Sequence, residues 1–326
     1  MPANLTPAYR EAEARFRSAV TREEKIAGLE EMLRVIPRHK GTEKLQADLR
    51  TRLSKLKREP KKKGPKSHSH KIPREGAGQV VLVGPPNAGK SSLVAALTHA
   101  TPAVADYPLT TREATPGMMP YEDIAVQLVD LPPLCEEHVE PWVYDLVRGS
   151  DLVWLVISIA HPLVGLELTT ELLAGKAVGL FPAGREAPDD GRAGWRYRPA
   201  LLVVTGMDRA GSAADLDALR DLLDIPWPTV PVSCVTRSGL DALGTRTFDA
   251  LQIIRVYTKE PKEDPDRDRP FTLPRGTTVG DLARTIHKDV AASMKFARVW
   301  GPSAFDGQSV HAAHVLEEGD VVEIHF

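Results

Sequence analysis

The sequence GPPNAGKSS, at Gly84–Ser92, matches the pattern G-x-x-x-x-G-K-[ST]. It lies between a short apolar run, QVVLVG, and a helix-like segment, SSLVAALTHA. A loop in this setting binds phosphates, because its glycines let the backbone approach and the helix N-terminus points free N–H groups at the anion. In such a loop the Lys90 ammonium reaches the β- and γ-phosphates and the Ser91 hydroxyl binds Mg²⁺. The pattern therefore predicts a nucleotide-binding site.

On either side of this loop, between residues 79 and 251, short apolar runs rich in β-branched residues alternate with helix-like stretches. The runs are QVVLVG, IAVQLVD, DLVWLVISIA, RPALLVVTG and PTVPVS. Strands that alternate with helices predict an α/β fold with a mainly parallel sheet covered on both faces. Residues 161–197 fit the pattern less well, and FPAGREAPDDGRAG within them is predicted to be a loop.

Two further regions flank this core. Residues 8–59 place apolar residues at three- and four-residue steps in two stretches separated by Pro37 and Gly41, which predicts a helical hairpin. After Leu251, the pieces IIRVYT, PFTLP, TVGDLARTIHKD, ARVWG and VVEIHF indicate a small mixed α+β module. The predicted domains are a helical arm over 1–60, a basic linker over 61–78, a P-loop domain over 79–251 and a C-terminal module over 252–326.

Composition excludes several classes of protein. The chain has 326 residues, of which 42% are hydrophobic and 26% charged, as in ordinary globular proteins. Its longest apolar run, Leu152 to Ala160, is shorter than the ~20 residues that cross a bilayer, and the N-terminus lacks the apolar core of a secretory signal. Cys135 and Cys234 suffice for neither a disulfide framework nor a zinc site. Two reduced thiols in a cytoplasmic protein are expected.

Charge is concentrated in one segment. Between Arg50 and Arg74 the chain carries eleven lysines or arginines against one acid, Glu59. Such a run often contacts polyanions, but it also occurs in linkers that are simply solvated. On charge alone, both nucleic-acid contact and plain solubility stay open for this segment.

The residues that select a nucleotide lie further along the chain. Asp130 ends the run IAVQLVD, where an acid holds Mg²⁺ through water. The intervening YPLTTREATPG offers Thr111, and as second choice Thr110, to close over Mg²⁺ and the γ-phosphate. The alternative for both is an ordinary loop threonine.

The sequence TGMD, at residues 205–208, follows another strand at the position where GTPases carry N/T-K-x-D. The Asp208 carboxylate accepts hydrogen bonds from the guanine ring N–H and exocyclic amine, which adenine does not offer. Gly206 replaces the lysine whose stem covers the base, and this weakens stacking. The sequence VSC at 232–234 ends the next strand, where a backbone N–H is expected to meet guanine O6.

With these motifs together, the sequence resembles the Obg-related GTPases, and within them the developmentally regulated GTP-binding (DRG) proteins. VADYPLTTREATPGMMPYEDIAVQLVDLPPL is close to their switch region, and IPRHKGTEKLQADLRTRLSKLKRE to their N-terminal helical arm. The pieces YTK, LPRGTTV, IHKD and VWG, in that order, resemble their C-terminal TGS domain, a β-grasp module. The resemblance covers about residues 20–326. It implies a GTP-binding protein that acts on RNA or the ribosome.

Three departures from the family pattern bear on activity. The family's DxPG reads DLPP at 130–133, and Pro133 has no N–H to offer the γ-phosphate. The lysine of N-K-x-D is Gly206. Only 38 residues, His161 to Arg198, stand where DRG proteins carry a small inserted domain.

Hydrolysis also lacks one familiar residue, because Leu134 occupies the place of the water-orienting glutamine of Ras-like enzymes. Asn87 resembles the asparagine that ligates K⁺ in potassium-activated GTPases. The alternative for Asn87 is a turn residue chosen for its backbone conformation.

The favoured interpretation is a slow GTPase switch that converts GTP to GDP and phosphate, with Mg²⁺ as cofactor and K⁺ as a further candidate. A degenerate G domain, serving as an RNA- or protein-binding scaffold with little turnover, is the alternative that Pro133 and Gly206 favour. An ATPase is permitted by Gly206 and opposed by Asp208. Expected partners are GTP, GDP and RNA or the ribosome, and no membrane. The predicted nucleotide-binding residues are Gly84, Asn87, Ala88, Gly89, Lys90, Ser91, Ser92, Thr205, Asp208, Ser233 and Cys234; Asn87, Lys90 and Thr111 are the catalytic candidates, and Ser91, Thr111 and Asp130 the metal ligands.

Overall fold

The protein divides into two compact units, Met1–Ser69 and His70–Phe326. The computed structural model describes residues 7–18, 22–37, 42–58, 72–98, 114–135, 139–261 and 263–326. Across these residues, none of the helices combines the length and the apolar composition needed to cross a membrane.

The described part of the N-terminal unit contains three helices, α1 (Pro7–Ser18), α2 (Arg22–Val35) and α3 (Glu43–Arg58). The predicted two-helix hairpin is therefore wrong in number, because its first stretch forms two helices. The two helices pack closely at Gly28, where a Cβ would lie 3.1 Å from Phe16 Cα. The small shared core is formed by Tyr9, Ala12, Leu29, Met32, Ile36 and Leu49.

The larger unit opens with a seven-stranded sheet. Its strands are β1 (Gln79–Val83), β2 (Thr115–Tyr121), β3 (Ile124–Asp130), β4 (Leu152–Ser158), β5 (Val178–Pro182), β6 (Arg196–Thr205) and β7 (Thr229–Pro231). The order is β2-β3-β1-β4-β6-β5, and β7 also pairs with β6. Every pairing is parallel except β2 with β3, so the predicted mainly parallel sheet is confirmed.

Helices cover both faces of this sheet. They are α4 (Lys90–Leu97), α5 (Pro141–Gly149), α6 (Pro162–Ala174), α7 (Ser212–Leu222) and α8 (Leu240–Leu251). The all-apolar strands supply two cores, since successive side chains of a strand point to opposite faces. In β1, Val80 and Leu82 pack with α4 and α8, whereas Val81 and Val83 pack with α5, α6 and α7.

Residues 161–197 contain more regular structure than the sequence indicated. They include α6 and β5, and β5 pairs in parallel with the first half of β6. The predicted loop is confined to residues 183–195.

The C-terminal module has its own five-stranded sheet. It comprises β8 (Ile253–Thr258), β9 (Asp266–Pro274), α9 (Val279–Ile286), α10 (Lys288–Ser293), β10 (Phe296–Gly301), β11 (Ala304–Val310) and β12 (Val321–His325). The strand order is β11-β10-β12-β8-β9, with β8 and β12 parallel and the other pairs antiparallel. The Thr278 hydroxyl and the Asp281 carboxylate form a capping box that begins α9.

One polar cluster joins this module to the turn between β2 and β3, and we call it the interdomain clasp. Arg255 of β8 donates to Asp123 at 2.5 Å and to Glu318 at 2.6 Å, and it also pairs with Glu122. The Tyr257 hydroxyl donates to the second oxygen of Asp123. Because β3 leads directly to Asp130, the clasp connects the C-terminal module to a strand that enters the predicted magnesium site.

Candidate nucleotide-binding site

Backbone geometry requires both glycines of the P-loop. Gly84 follows β1 at a point where a Cβ would lie 2.1 Å from the Val156 carbonyl oxygen. Gly89, the N-cap of α4, has a φ of 92°, in the left-handed region that favours glycine. The chain can therefore turn from strand to helix with its N–H groups facing outward.

Lys90, the first residue of α4, lies within the loop. Its Nζ donates to the carbonyl oxygens of Gly84 at 3.0 Å and Pro85 at 3.1 Å, and the residue is only 7% exposed. Burial lowers the pKa of the Lys90 ammonium, and the Asp130 carboxylate opposes that shift. A bound polyphosphate would favour the charged form again, because it brings negative charge to an ammonium that now has two neutral partners.

The predicted metal ligands Ser91 and Asp130 lie together. The Ser91 hydroxyl donates to Asp130 Oδ2 at 2.5 Å, while the buried Oδ1 has no hydrogen-bond partner among the described residues. A hydroxyl oxygen beside an unsatisfied carboxylate oxygen suits Mg²⁺, which prefers hard oxygen ligands. The residues present therefore fit this cation, and Ser91 and Asp130 are the groups that would hold it.

Thr205, at the end of β6, contacts the P-loop rather than open solvent. Its buried hydroxyl donates to the Ala88 carbonyl at 2.7 Å and lies 3.2 Å from that of Ile157. A Cβ on Gly89 would lie 3.1 Å from the same hydroxyl oxygen. Thr205 thus fixes the loop to the centre of the sheet.

The predicted base-recognition residues also come together. The Ser233 hydroxyl donates to Asp208 Oδ1 at 2.8 Å and accepts the N–H groups of Val235 and Thr236 at 3.2 and 3.1 Å. This network orients an otherwise exposed carboxylate. Burial raises the pKa of the neighbouring Cys234 thiol, and Asp208 raises it further, so the thiol stays protonated at neutral pH.

Three candidates remain, Thr110, Thr111 and Asn87. Thr110 and Thr111 lie outside the described residues. Asn87 is exposed and has a φ of 60°, a left-handed conformation that asparagine tolerates better than most residues. This conformation supports the interpretation of Asn87 as a turn residue and leaves its side-chain amide available.

Sequence reasoning missed an anchor at Leu134. Its N–H donates to the Gly84 carbonyl at 3.0 Å, and its side chain is fully buried beneath the sheet edge. The segment after Asp130 therefore starts fixed to the P-loop, with Pro133 unable to donate and the next N–H already used. No residue pattern marks a bond made by a backbone N–H, so only the structure shows it.

Together, the fold and the site define a P-loop GTPase with a C-terminal TGS domain. Residues 79–176 match the family described as 50S ribosome-binding GTPase, and residues 254–326 match the TGS domain. A GTP-binding protein of Halobacterium salinarum is 31% identical over 93% of this chain and 98% of its own length. Developmentally-regulated G-protein 2 of Arabidopsis thaliana is 27% identical over 92% of this chain and 90% of its own. The chain belongs to the family of developmentally regulated GTP-binding proteins.

A solved structure agrees on the fold. The YchF GTPase of Schizosaccharomyces pombe aligns with a TM-score of 0.54, covering 78% of this chain and 99% of that one. At 14% identity the likeness concerns the fold alone.

Proposed function

We propose that this GTP-binding protein is a slow GTPase switch that works with Mg²⁺ and acts on the ribosome or another RNA. One observation carries the proposal: a single edge of the sheet holds a phosphate loop, a Ser91–Asp130 pair with an unsatisfied oxygen, and the oriented Asp208 carboxylate. Three features support action on the ribosome or another RNA: the match to 50S ribosome-binding GTPases, the TGS domain and the basic run between Arg50 and Arg74.

Each residue has a role in this proposal. The Lys90 ammonium neutralises charge on the β- and γ-phosphates, and Asp208 selects guanine by accepting its two N–H donors. Ser91 and Asp130 hold Mg²⁺, which would draw charge from the phosphate oxygens. Thr111 is proposed to close over the γ-phosphate. The buried, apolar Leu134 cannot orient water, so turnover is expected to be slow.

A second candidate is a scaffold that holds nucleotide with little or no turnover. The observation that favours it is the fixed start of the segment after Asp130, where Pro133 has no N–H and Leu134 donates its own N–H to the Gly84 carbonyl. Neither position 133 nor position 134 of such a segment donates a backbone hydrogen bond to the γ-phosphate.

The deciding experiment measures binding of GTP, GDP and ATP, and then GTP turnover with and without purified 50S subunits. We expect tight binding of both guanine nucleotides, weak binding of ATP and faster turnover with 50S subunits. Equal affinity for GTP and ATP would contradict the switch. Guanine-specific binding with no turnover in either condition would establish the scaffold instead.

The proline at position 133, in the segment after Asp130, gives a direct prediction. The wild type is expected to distinguish GTP from GDP poorly, and Pro133→Gly should raise GTP affinity about 10-fold more than GDP affinity, because a hydrogen bond to a charged group is worth roughly 1.5–3 kcal/mol. Both constants can be measured by isothermal titration calorimetry. Pro133→Ala restores the N–H without the flexibility of glycine and should act in the same direction. If both affinities move equally, another group already satisfies the γ-phosphate.

Any hydrolysis is expected to depend on potassium. With no water-orienting side chain at Leu134, a K⁺ ion near Asn87 would supply the charge that stabilises the transition state, and turnover should be about 10-fold faster in KCl than in NaCl. Asn87→Gly is the informative variant, because glycine keeps the positive φ and removes only the amide. It should abolish the difference between the salts. A measurable wild-type rate that is equal in both salts would leave Asn87 as a turn residue.

The basic run is expected to bind RNA with an affinity that falls as salt rises. Replacing the five lysines between residues 61 and 71 by glutamine should flatten the log–log slope by about 0.7 for each phosphate of a single strand that the variant no longer neutralises. The same five positions changed to arginine serve as the control, since they keep the charge. An unchanged slope in the glutamine variant would contradict this role.

A further inference from the structure

Gly206 leaves a vacant position beside the base-recognition carboxylate. Its φ of 82° is in the left-handed region, where most side chains are strained. Apart from the adjoining residues, the atoms nearest to a Cβ built on it are Ile159 Cγ2 at 3.4 Å, Arg209 Cδ at 3.6 Å and Ser158 Oγ at 3.9 Å. The methylene stem of Arg209 therefore lies beside the space in which a side chain at position 206 would begin.

A tight turn produces this placement. The Arg209 N–H donates to the Gly206 carbonyl at 3.1 Å, and the Ser212 N–H donates to the Arg209 carbonyl at 3.2 Å. The Arg209 side chain is exposed, and among the described residues its guanidinium forms no hydrogen bond or ion pair. Its stem is held near Gly206 while its charged end stays available to a ligand.

A guanine base whose edge meets Asp208 still exposes two flat faces. Covering a face removes apolar surface from water, and an arginine does this well because its stem is apolar and its planar guanidinium stacks on aromatic rings. Met207 is partly buried against the sheet core and cannot serve. We propose that Arg209 covers one face of the bound guanine and so takes over the stacking that a lysine at 206 would provide. This inference rests on guanine binding at Asp208.

The experiment measures equilibrium binding of fluorescent N-methylanthraniloyl-GDP, with unlabelled GDP, GTP and IDP as competitors. Arg209→Ala should weaken GDP and GTP by the same factor, about 5- to 10-fold. Arg209→Met keeps an apolar stem and should lose clearly less. Arg246→Ala, which removes an exposed arginine of α8, is the matched control and should bind like the wild type.

Several outcomes separate the possibilities. Because stacking does not read the edge of the base, the preference for GDP over IDP should stay the same in Arg209→Ala. A larger loss for GTP than for GDP would place the guanidinium on the phosphates and overturn the proposal, as would unchanged affinity or an equal loss in Arg246→Ala. If the wild type prefers GDP to IDP and the Arg209 variants bind GDP as tightly as the wild type, this inference alone fails. If the wild type shows no such preference, guanine recognition at Asp208 fails with it.

Discussion

Asp208→Asn is expected to lower the affinity for GTP and GDP by about 100-fold, because two hydrogen bonds to a charged acceptor are weakened or lost. An amide keeps one acceptor oxygen but presents its NH₂ group to a guanine donor. Xanthine carries a carbonyl oxygen where guanine carries the amine, so affinity for XTP should rise in the same variant. Competition of GTP, GDP and XTP against one labelled nucleotide measures all three effects.

The control for this variant is Asp221→Asn, which makes the same chemical change at an exposed position of α7. It should bind like the wild type. Because asparagine retains an oxygen to accept from Ser233, the loop should keep its shape and the effect should concern the base alone. A uniform loss of GTP and XTP affinity would instead show that Asp208 supports the loop structure.

Which residues lie together at the candidate nucleotide-binding edge of the sheet could largely be predicted from the sequence, for a physical reason. The loop at Gly84–Ser92 is a local motif whose glycines and lysine act within a few residues of one another. Distant residues such as Asp130 and Asp208 end parallel strands, and the carboxyl ends of parallel strands meet at the same edge of the sheet. The topology of the sheet therefore predicts that Asp130 and Asp208 lie at the same edge as the P-loop.

Features that depend on packing or on backbone atoms could not be predicted from the sequence in this way. The strand β11, AFDGQSV, was missed because it has no apolar alternation and lies at the edge of its sheet. The packing of α1 against α2 includes the close approach of Gly28 to Phe16, a contact between helices. The Leu134 anchor uses a backbone N–H, which every residue except proline possesses.

The interdomain clasp could not be predicted from the sequence either, because it joins Asp123 to residues more than a hundred positions further along the chain. Burial raises the pKa of Asp123, but hydrogen bonds from Tyr257 and Arg255 outweigh it and hold that pKa below its usual value. Burial and the bond to Asp123 raise the pKa of Tyr257 to about 12. The Arg255 guanidinium also lies 5.1 Å from the Phe248 ring centre. One arginine therefore serves three carboxylates and an aromatic face.

Arg255→Ala is expected to lower the free energy of unfolding by about 3 kcal/mol, because it leaves partly buried carboxylates without a partner. Arg255 itself is 13% exposed at its side chain. Urea denaturation followed by circular dichroism measures the change. Arg298→Ala, which removes an exposed arginine of β10, should have little effect. Arg255→Lys should be intermediate, since an ammonium keeps the charge but not the fork of donors.

The pH dependence tests whether the clasp acts through Asp123. A carboxyl whose folded pKa is depressed stabilises the protein above its unfolded pKa of about 3.9 and loses that contribution as the pH falls through the folded value. The stability difference between wild type and Arg255→Ala should therefore be complete at pH 6 and shrink below about pH 4. Tyr257 contributes in the opposite sense: its share is complete below about pH 10 and is lost as the pH rises through about 12. A difference that stays constant from pH 6 to pH 3 would mean that Arg255 stabilises the fold by packing on Phe248 and not by its ion pairs.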